Sequence, residues 1–400
     1  MMNDEMFATL LQESERLKAE AQQLNKRRFL FQELSKKRSL ILGIYGLRGT
    51  GKTTLLLQLA AEQPESVYVN AEKLVFRSSS ISEFVEFAKT KKFSSFYIDE
   101  IHTSPNWAQE IKLLYDFGIT NIIFSGSSSI LIQESAADLS RRALLFYLPP
   151  LSFREFLDFV ADAKLEKAEI SSILDFDKRK KLISAIAPYA SHFSEYMRYG
   201  SFPFYFAQKA DAPALYERIT EKIVRTDLSS LERIDSNYIS SVYKIINTLV
   251  ISNPSEITYN ALAKQTSRKI YLVEKIISDL SDLGLLHAIM PFKRGASMVR
   301  KEKKFLISPP FRLAIGNKLG FTFEQLKGGI REDLFVSNTH FLHPAYVKTD
   351  RERKTPDYYM AGKTFELGPH AFKHDTDFYV KDELVVSENA IPLPLLCMLF

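Results

Sequence analysis

Eight residues constrain this chain more than any others: Gly46 to Thr53, reading GLRGTGKT. Before them, Leu40 to Tyr45 is a short, mostly apolar run that reads as a buried parallel strand. After them, Thr54 and the apolar Leu55-Leu56-Leu57 open a helix. Strand, glycine-rich turn and helix is the context of a phosphate-binding loop. Gly46, Gly49 and Gly51 let the backbone close tightly. The N–H groups of the loop, from Gly46 through Leu47, Arg48 and Thr50 to Thr54, then converge on the phosphates, helped by the positive end of the helix dipole. Lys52 adds a full charge for the terminal phosphates, and the Thr53 hydroxyl is placed to ligate Mg²⁺. The expected ligands are ATP and Mg²⁺.

Such a loop needs an acidic counterpart on a neighbouring strand. Phe96-Tyr97-Ile98-Asp99-Glu100 is an apolar strand ending in two carboxylates. Asp99 is expected to hold Mg²⁺ through water, and Glu100 to polarise the attacking water. Taken alone, the same string is an ordinary strand running into an acidic turn; after a complete phosphate loop, the catalytic reading is preferred. A further strand, Asn121 to Phe124, runs into Ser125-Gly126-Ser127-Ser128-Ser129 at the ligand-bearing edge of an open α/β sheet. Ser127 is expected to sense the γ-phosphate, with a helix cap as the equal alternative.

Composition sets the remaining bounds. The 46% apolar content of 400 residues supports several cores, and a wholly disordered chain is excluded. A single cysteine, Cys397, excludes an internal disulfide framework and fits the cytoplasm. The longest apolar run, Ala390 to Phe400, is too short to cross a bilayer and reads as a buried terminal strand, so no membrane partner is expected. The net charge is +5, and Pro254 to Lys304 alone holds ten basic and five acidic residues, an excess as large as the whole chain's.

Residues 1–37 predict one long helix, with Leu10, Leu17, Leu24 and Phe31 spaced by seven. That single seam suits packing on the adjacent domain, and a monomer or weak oligomer is expected. Residues 236–310 read as a winged helix: helices over Ile239–Ile251, Tyr259–Gln265 and Lys269–Leu283, ended by Gly284, then a hairpin around the basic loop Lys293 to Lys304. Ser267, Arg268, Lys269 and Tyr271 open its third helix, where a duplex reader presents side chains to DNA. Double-stranded DNA and a protein surface both stay open as partners of this module.

The string YIDEIHTSPNW at Tyr97 to Trp107, followed by IIFSGSSS, resembles the archaeal-type ATPases of the AAA+ superfamily. Arg48 in the loop and Trp107 after the acids match that family. Leu139-Ser140-Arg141-Arg142 and PPLSFREF at Pro149 to Phe156 are similar to its Gly-Arg and Pro-Leu-Ser-Phe-x-Glu-Phe stretches, with Arg141 where glycine is usual. The resemblance implies that Arg142 contacts a γ-phosphate, within the chain or across a subunit boundary. It implies a core over 38–151, a helical lid over 152–235 with the turn Gly200 to Pro203, and a restriction-endonuclease-like domain over 315–400. In that last domain Glu332, Asp357 and Glu366 stand for the metal-binding carboxylates. Gly368 stands where the catalytic lysine belongs, and Lys373 is too far along to replace it on the same strand face. The expected fold is thus α/β: a parallel-sheet P-loop NTPase core, AAA+-like, with helical lid, winged helix and a small α+β nuclease-like C-terminal domain. The expected function is Mg²⁺-dependent ATP binding and hydrolysis driving a conformational switch on DNA. The alternatives are an ATP-controlled protein-binding switch without DNA and an active defence nuclease.

Overall fold

Asn3 accepts a hydrogen bond from the Met6 amide and starts helix α1 (Asp4–Gln22). Phe7, Leu10, Ser14, Lys18 and Ala21 form its buried face. The computed structural model describes residues 2–37, 39–76, 78–126, 139, 141–228, 235–254, 257–292, 303–347, 355–368 and 376–400. It divides into two compact units, Met1–Pro150 and Leu151–Phe400.

The expected continuous N-terminal helix is interrupted. α1 ends at Gln22, and a short α2 (Leu30–Ser35) follows only after an extended crossing. Leu24, on the expected seam, is half exposed at 50%. The cause is tertiary. Within the crossing, the Lys26 carbonyl accepts from Gln58 Nε2 at 2.9 Å, and Arg28 is buried. These bonds replace the helical ladder that residues 23–29 would otherwise make.

The rest of the first unit alternates strands and helices. In chain order come β1 (Ile41–Tyr45), α3 (Lys52–Ala61), β2 (Ser66–Asn70), α4 (Ala71–Phe76), α5 (Ile81–Thr90), β3 (Ser95–Asp99), α6 (Trp107–Asp116), β4 (Ile122–Gly126) and β5 (Ala143–Tyr147). All neighbouring strands are parallel, in the order β2-β3-β4-β1-β5. β1 lies inside the sheet and its first four residues are buried, as its apolar run requires. One core holds Val67, Phe96, Ile98 and Phe124 with α5 and α6; another holds Leu42, Ile44 and Ile123 with Leu55, Leu56 and Leu59 of α3. This order puts the ends of β1, β3 and β4 side by side at one edge.

The second unit begins with α7 (Phe153–Ala161), whose capping box pairs Ser152 with Glu155. α8 (Phe176–Ile186) and α9 (Ala212–Lys222) follow. An aromatic cluster forms core here: Phe202 is fully buried, with its ring edge-on to Tyr216 at 5.4 Å and to Phe311 at 5.6 Å. Next come α10 (Ser236–Ile251), α11 (Tyr259–Thr266), α12 (Ile270–Asp282) and the antiparallel pair β6 (Leu286–Ile289) and β7 (Lys304–Ile307). Then α13 (Pro309–Lys318) and α14 (Phe323–Thr339) precede β8 (Ala345–Tyr346), β9 (Tyr358–Met360), β10 (Lys363–Leu367), β11 (Phe378–Lys381) and β12 (Ala390–Pro392). The last five strands form a mixed sheet, in order β12-β11-β10-β9-β8. Instead of the expected strand to the end of the chain, β12 stops at Pro392 and Leu393–Leu396 turns into a buried helix.

A buried ion pair ties this unit together. Arg312 on α13 bonds Asp333 on α14 through Nε and Nη2, and the Leu249 and Val250 carbonyls of α10 through Nη1 at 2.8 and 2.7 Å. Asp333 also accepts from the Ile307 amide at 2.9 Å. With Arg312 1% and Asp333 0% exposed, each charge depends on the other. Among the described residues, no helix is long and apolar enough to cross a membrane.

Candidate nucleotide site

The glycines in the loop are required by its path. Gly49 and Gly51 take φ of 89° and 92°. Gly46 meets a different demand: a Cβ there would stand 2.4 Å from the Leu148 carbonyl oxygen. The loop therefore passes directly against the backbone leaving β5. Leu47 and Thr50 are buried, and Arg48 and Gly49 are half-buried. The Thr50 hydroxyl donates to Leu47 O at 2.9 Å, so this side chain braces the loop from within. Lys52 is 6% exposed, its ammonium donating to Gly46 O at 2.8 Å and Leu47 O at 3.2 Å. Thr53 and Thr54 lie in the first turn of α3, where amides have no partner within the helix.

Asp99 is the point on which the site converges. Its carboxylate accepts from Thr53 Oγ1 at 2.8 Å, from the Tyr68 hydroxyl at 3.0 Å, and from Ser125 Oγ. The loop, β2, β3 and β4 thereby meet at one buried carboxylate, 2% exposed. Burial, and then the charge of Asp99, push the Tyr68 hydroxyl far above its ordinary pKa, which keeps it a donor. Tyr68 and Ser125 were not legible from spacing. They reach Asp99 through strand order: Tyr68 sits on β2 beside β3, and β3–β4 register sets Ile98 opposite Phe124, one residue before each.

Glu100 follows Asp99 in the left-handed region, φ 50° and ψ 42°. Its carbonyl accepts from Thr103 N at 3.0 Å and Thr103 Oγ1 at 2.8 Å. Its carboxylate lies 3.4 Å from His102 Nδ1. A non-glycine residue in this conformation carries backbone strain, directly after the convergent carboxylate.

Of the other expected residues, one lies outside the described residues and one lies away from the loop. Ser127 lies outside the described residues, as do Ser128 and Ser129. Arg142 precedes β5, and the register Ile41↔Ala143 places it at the sheet edge opposite the one where β1 delivers the loop. A strand of five residues, about 16 Å at about 3.3 Å per residue, separates the two edges. Arg142 and the loop therefore lie at opposite edges of the sheet. Its guanidinium instead packs over Tyr115 and lies 3.4 Å from Asp116.

In the second unit the carboxylates singled out from sequence do share a cavity. Glu332, Asp357 and Glu366 line a polar space of about 360 Å³, with Lys304 and Arg331. Burial, and then the charges of Glu366 and Glu332, push Asp357 up to about 6. Among the described residues these acids do not close into a cluster that could hold a metal ion. Lys304, expected in the basic loop of the hairpin, is buried: it pairs with Glu332 and lies 4.6 Å from the Tyr358 ring centre. Hairpin register opposite Ile289 turns it inward. Lys293 to Glu302 and Lys373 lie outside the described residues. At the start of α12, Lys269 and Tyr271 are exposed, while Arg268 Nε is bonded to Ser241 at 2.9 Å.

Residues 38–157 match the AAA domain family. Over 322 residues the chain is 30% identical to "Uncharacterized protein MJ1637" of Methanocaldococcus jannaschii, covering 74% of this chain and 67% of that protein. Over 129 residues it is 33% identical to the Holliday junction branch migration complex subunit RuvB of Sulfurimonas denitrificans, covering 31% of this chain and 37% of RuvB. Among solved structures it is similar to AMPPCP-bound DnaA from Aquifex aeolicus, with 14% identity, a TM-score of 0.27 and coverage of 63% of this chain and 86% of that one.

Proposed function

The chain belongs to the same family as the archaeal protein MJ1637, with an AAA domain over residues 38–157, and from that premise we propose that it is a Mg²⁺-dependent ATPase. The observation that carries this reading is the hydrogen bond of 2.8 Å between Thr53 and Asp99, which joins the loop to the acidic strand. A hydroxyl and a carboxylate in contact are an oxygen-only pair, and they fit Mg²⁺, which takes one or two protein oxygens and keeps water and phosphate for the rest. When bound, the ion neutralises charge on the β- and γ-phosphates.

The chain's own groups do the remainder. The amides from Gly49 to Thr54 hold the phosphates, and Lys52 supplies positive charge at the terminal one. Tyr68 and Ser125 fix the Asp99 carboxylate. Glu100 orients the attacking water in line with the γ-phosphate. Arg142 stabilises developing charge only from a second copy, consistent with its place at the far edge over exposed Tyr115 and beside Asp116. Turnover measured against Mg²⁺ in the parent and in Thr53→Ala tests the assignment. Parent-like turnover and Mg²⁺ dependence in the variant would remove Thr53 from the metal site.

Residues 152–235 are read as a helical lid, 236–310 as a winged helix and 315–400 as a nuclease-like domain without nuclease activity. ATP drives a switch that acts on duplex DNA. Exposed Lys264, Ser267, Lys269 and Tyr271 around the start of α12 support DNA contact, as does the local similarity to a branch-migration subunit. Contact with phosphates predicts affinity that falls with salt by about 0.9 log units per contact per log unit of salt. Binding that is weak and salt-independent would favour a protein partner instead.

A further inference from the structure

Arg28 lies outside the matched AAA segment, in the extended crossing between α1 and α2. Its guanidinium nevertheless ends on the phosphate loop. Nη1 donates to the carbonyl of Thr50, and Nη2 donates to the carbonyl of Pro149 at 2.7 Å. The residue is 5% exposed. We propose that Arg28 is a positioning residue for nucleotide binding, one that sets the orientation of the loop peptides from behind. The inference rests on the reading of this loop as the ATP site.

A peptide is planar, so holding its carbonyl oxygen fixes the direction of the N–H on its other end. Thr50 O belongs to the peptide that carries the Gly51 amide, one of those that face the phosphates. The second bond, to Pro149, anchors the guanidinium to backbone next to Leu148, the residue Gly46 packs against. One planar group thus ties the loop to the chain leaving β5. Only arginine offers this reach with two donors in a fixed fork. The crossing is itself pinned, because Gln58 on α3 donates to the Lys26 carbonyl at 2.9 Å. The guanidinium therefore arrives already oriented, and its charge sits on the protein side of the loop, where it favours an anion on the other side.

Amides that hold the phosphates do so in both the bound substrate and the transition state. Their misalignment raises KM more than it lowers kcat. General loosening of the N-terminal segment does something else: it lowers the folded fraction and leaves KM unchanged. Lys18 provides the contrast. It ties α1 to Ser66, with its ammonium 3.0 Å from the carbonyl and 3.2 Å from the hydroxyl, and pairs with Glu15 of its own helix at 2.7 Å.

The test uses full-length protein, a fluorescent ATP analogue with Mg²⁺, steady-state hydrolysis and thermal melts. Arg28→Ala is expected to weaken analogue binding at least ten-fold and to raise KM by a similar factor. Arg28→Lys, which keeps charge but not the fork, is expected to fall between parent and Ala, and it is the informative variant if the alanine protein does not fold. Lys18→Met is expected to lower the melting temperature with affinity unchanged. Parent-like affinity and KM in both Arg28 variants would overturn the inference while leaving the ATP site standing. Failure of the parent itself to bind the analogue would overturn the inference and the ATP site together.

Discussion

Replacing Gly46 by alanine probes how closely the loop is built against its surroundings. The added methyl would stand 2.4 Å from Leu148 O and 3.2 Å from its carbonyl carbon. An ordinary non-bonded contact needs about 3.5 Å, so something must shift by about 1 Å. Neither partner is a side chain that can rotate away. The Leu148 amide donates to Tyr45 O at 2.8 Å, so withdrawing that carbonyl also pulls on the β1–β5 pairing. Gly46 φ of 155° adds to the strain for any residue with a Cβ. Overpacking of about 1–3 kcal/mol and one hydrogen bond worth about 1 kcal/mol give a loss of about 2–4 kcal/mol. For a unit of this size that is a fall in melting temperature of about 5–15 °C, accompanied by weaker ATP binding. Gly118→Ala is the control: its φ is 74°, and a Cβ there meets nothing within 4 Å. It should cost about 1–2 kcal/mol for the left-handed conformation alone and leave ATP affinity intact. Calorimetry and nucleotide titration on both variants decide the matter. If Gly46→Ala melts no lower than Gly118→Ala and binds ATP like the parent, the close approach assigned to the loop is wrong.

Arg312→Met leaves the Asp333 carboxylate buried beside no cation and should destabilise the second unit by about 3–5 kcal/mol, read by denaturant unfolding. Asp357, with its folded pKa raised from 3.8 to about 6, contributes stability that is complete below pH 3.8 and lost as pH rises through 6. Asp357→Asn should therefore gain on the parent between pH 4 and 7, by up to about 3 kcal/mol, and a pH-independent difference in melting temperature would refute the raised pKa. Supercoiled plasmid with Mg²⁺ or Mn²⁺ should stay uncut, with or without ATP. Nicking that disappears in Glu366→Ala would instead establish a nuclease.

The loop and its acidic strand were legible because each is contiguous: glycine placement, helix start and strand end are all encoded within a few residues. What was not legible depends on partners distant in sequence. Nothing between Gln23 and Phe29 breaks a helix, since the segment has neither glycine nor proline; the break comes from Gln58 and from the two carbonyls that Arg28 reaches. Tyr68 and Ser125 meet Asp99 only once β2, β3 and β4 lie side by side. Arg142 follows the motif that suggested it, yet the parallel register of β5 sends it to the wrong edge for its own loop. Lys304 ends a run of basic residues that reads as a partner-facing loop, and the hairpin turns it onto Glu332.

We propose that the Gly46–Thr53 loop and the Asp99–Glu100 pair form one hydrolytic site. Steady-state ATP hydrolysis, with nucleotide binding measured in parallel, tests it most directly in the parent, Lys52→Ala and Glu100→Gln. Mg²⁺-dependent turnover by the parent and loss of binding in Lys52→Ala are the expected results. Glu100→Gln should still bind ATP but turn over slower by about two or more orders of magnitude. Hydrolysis by Glu100→Gln at the parent rate would contradict the proposal.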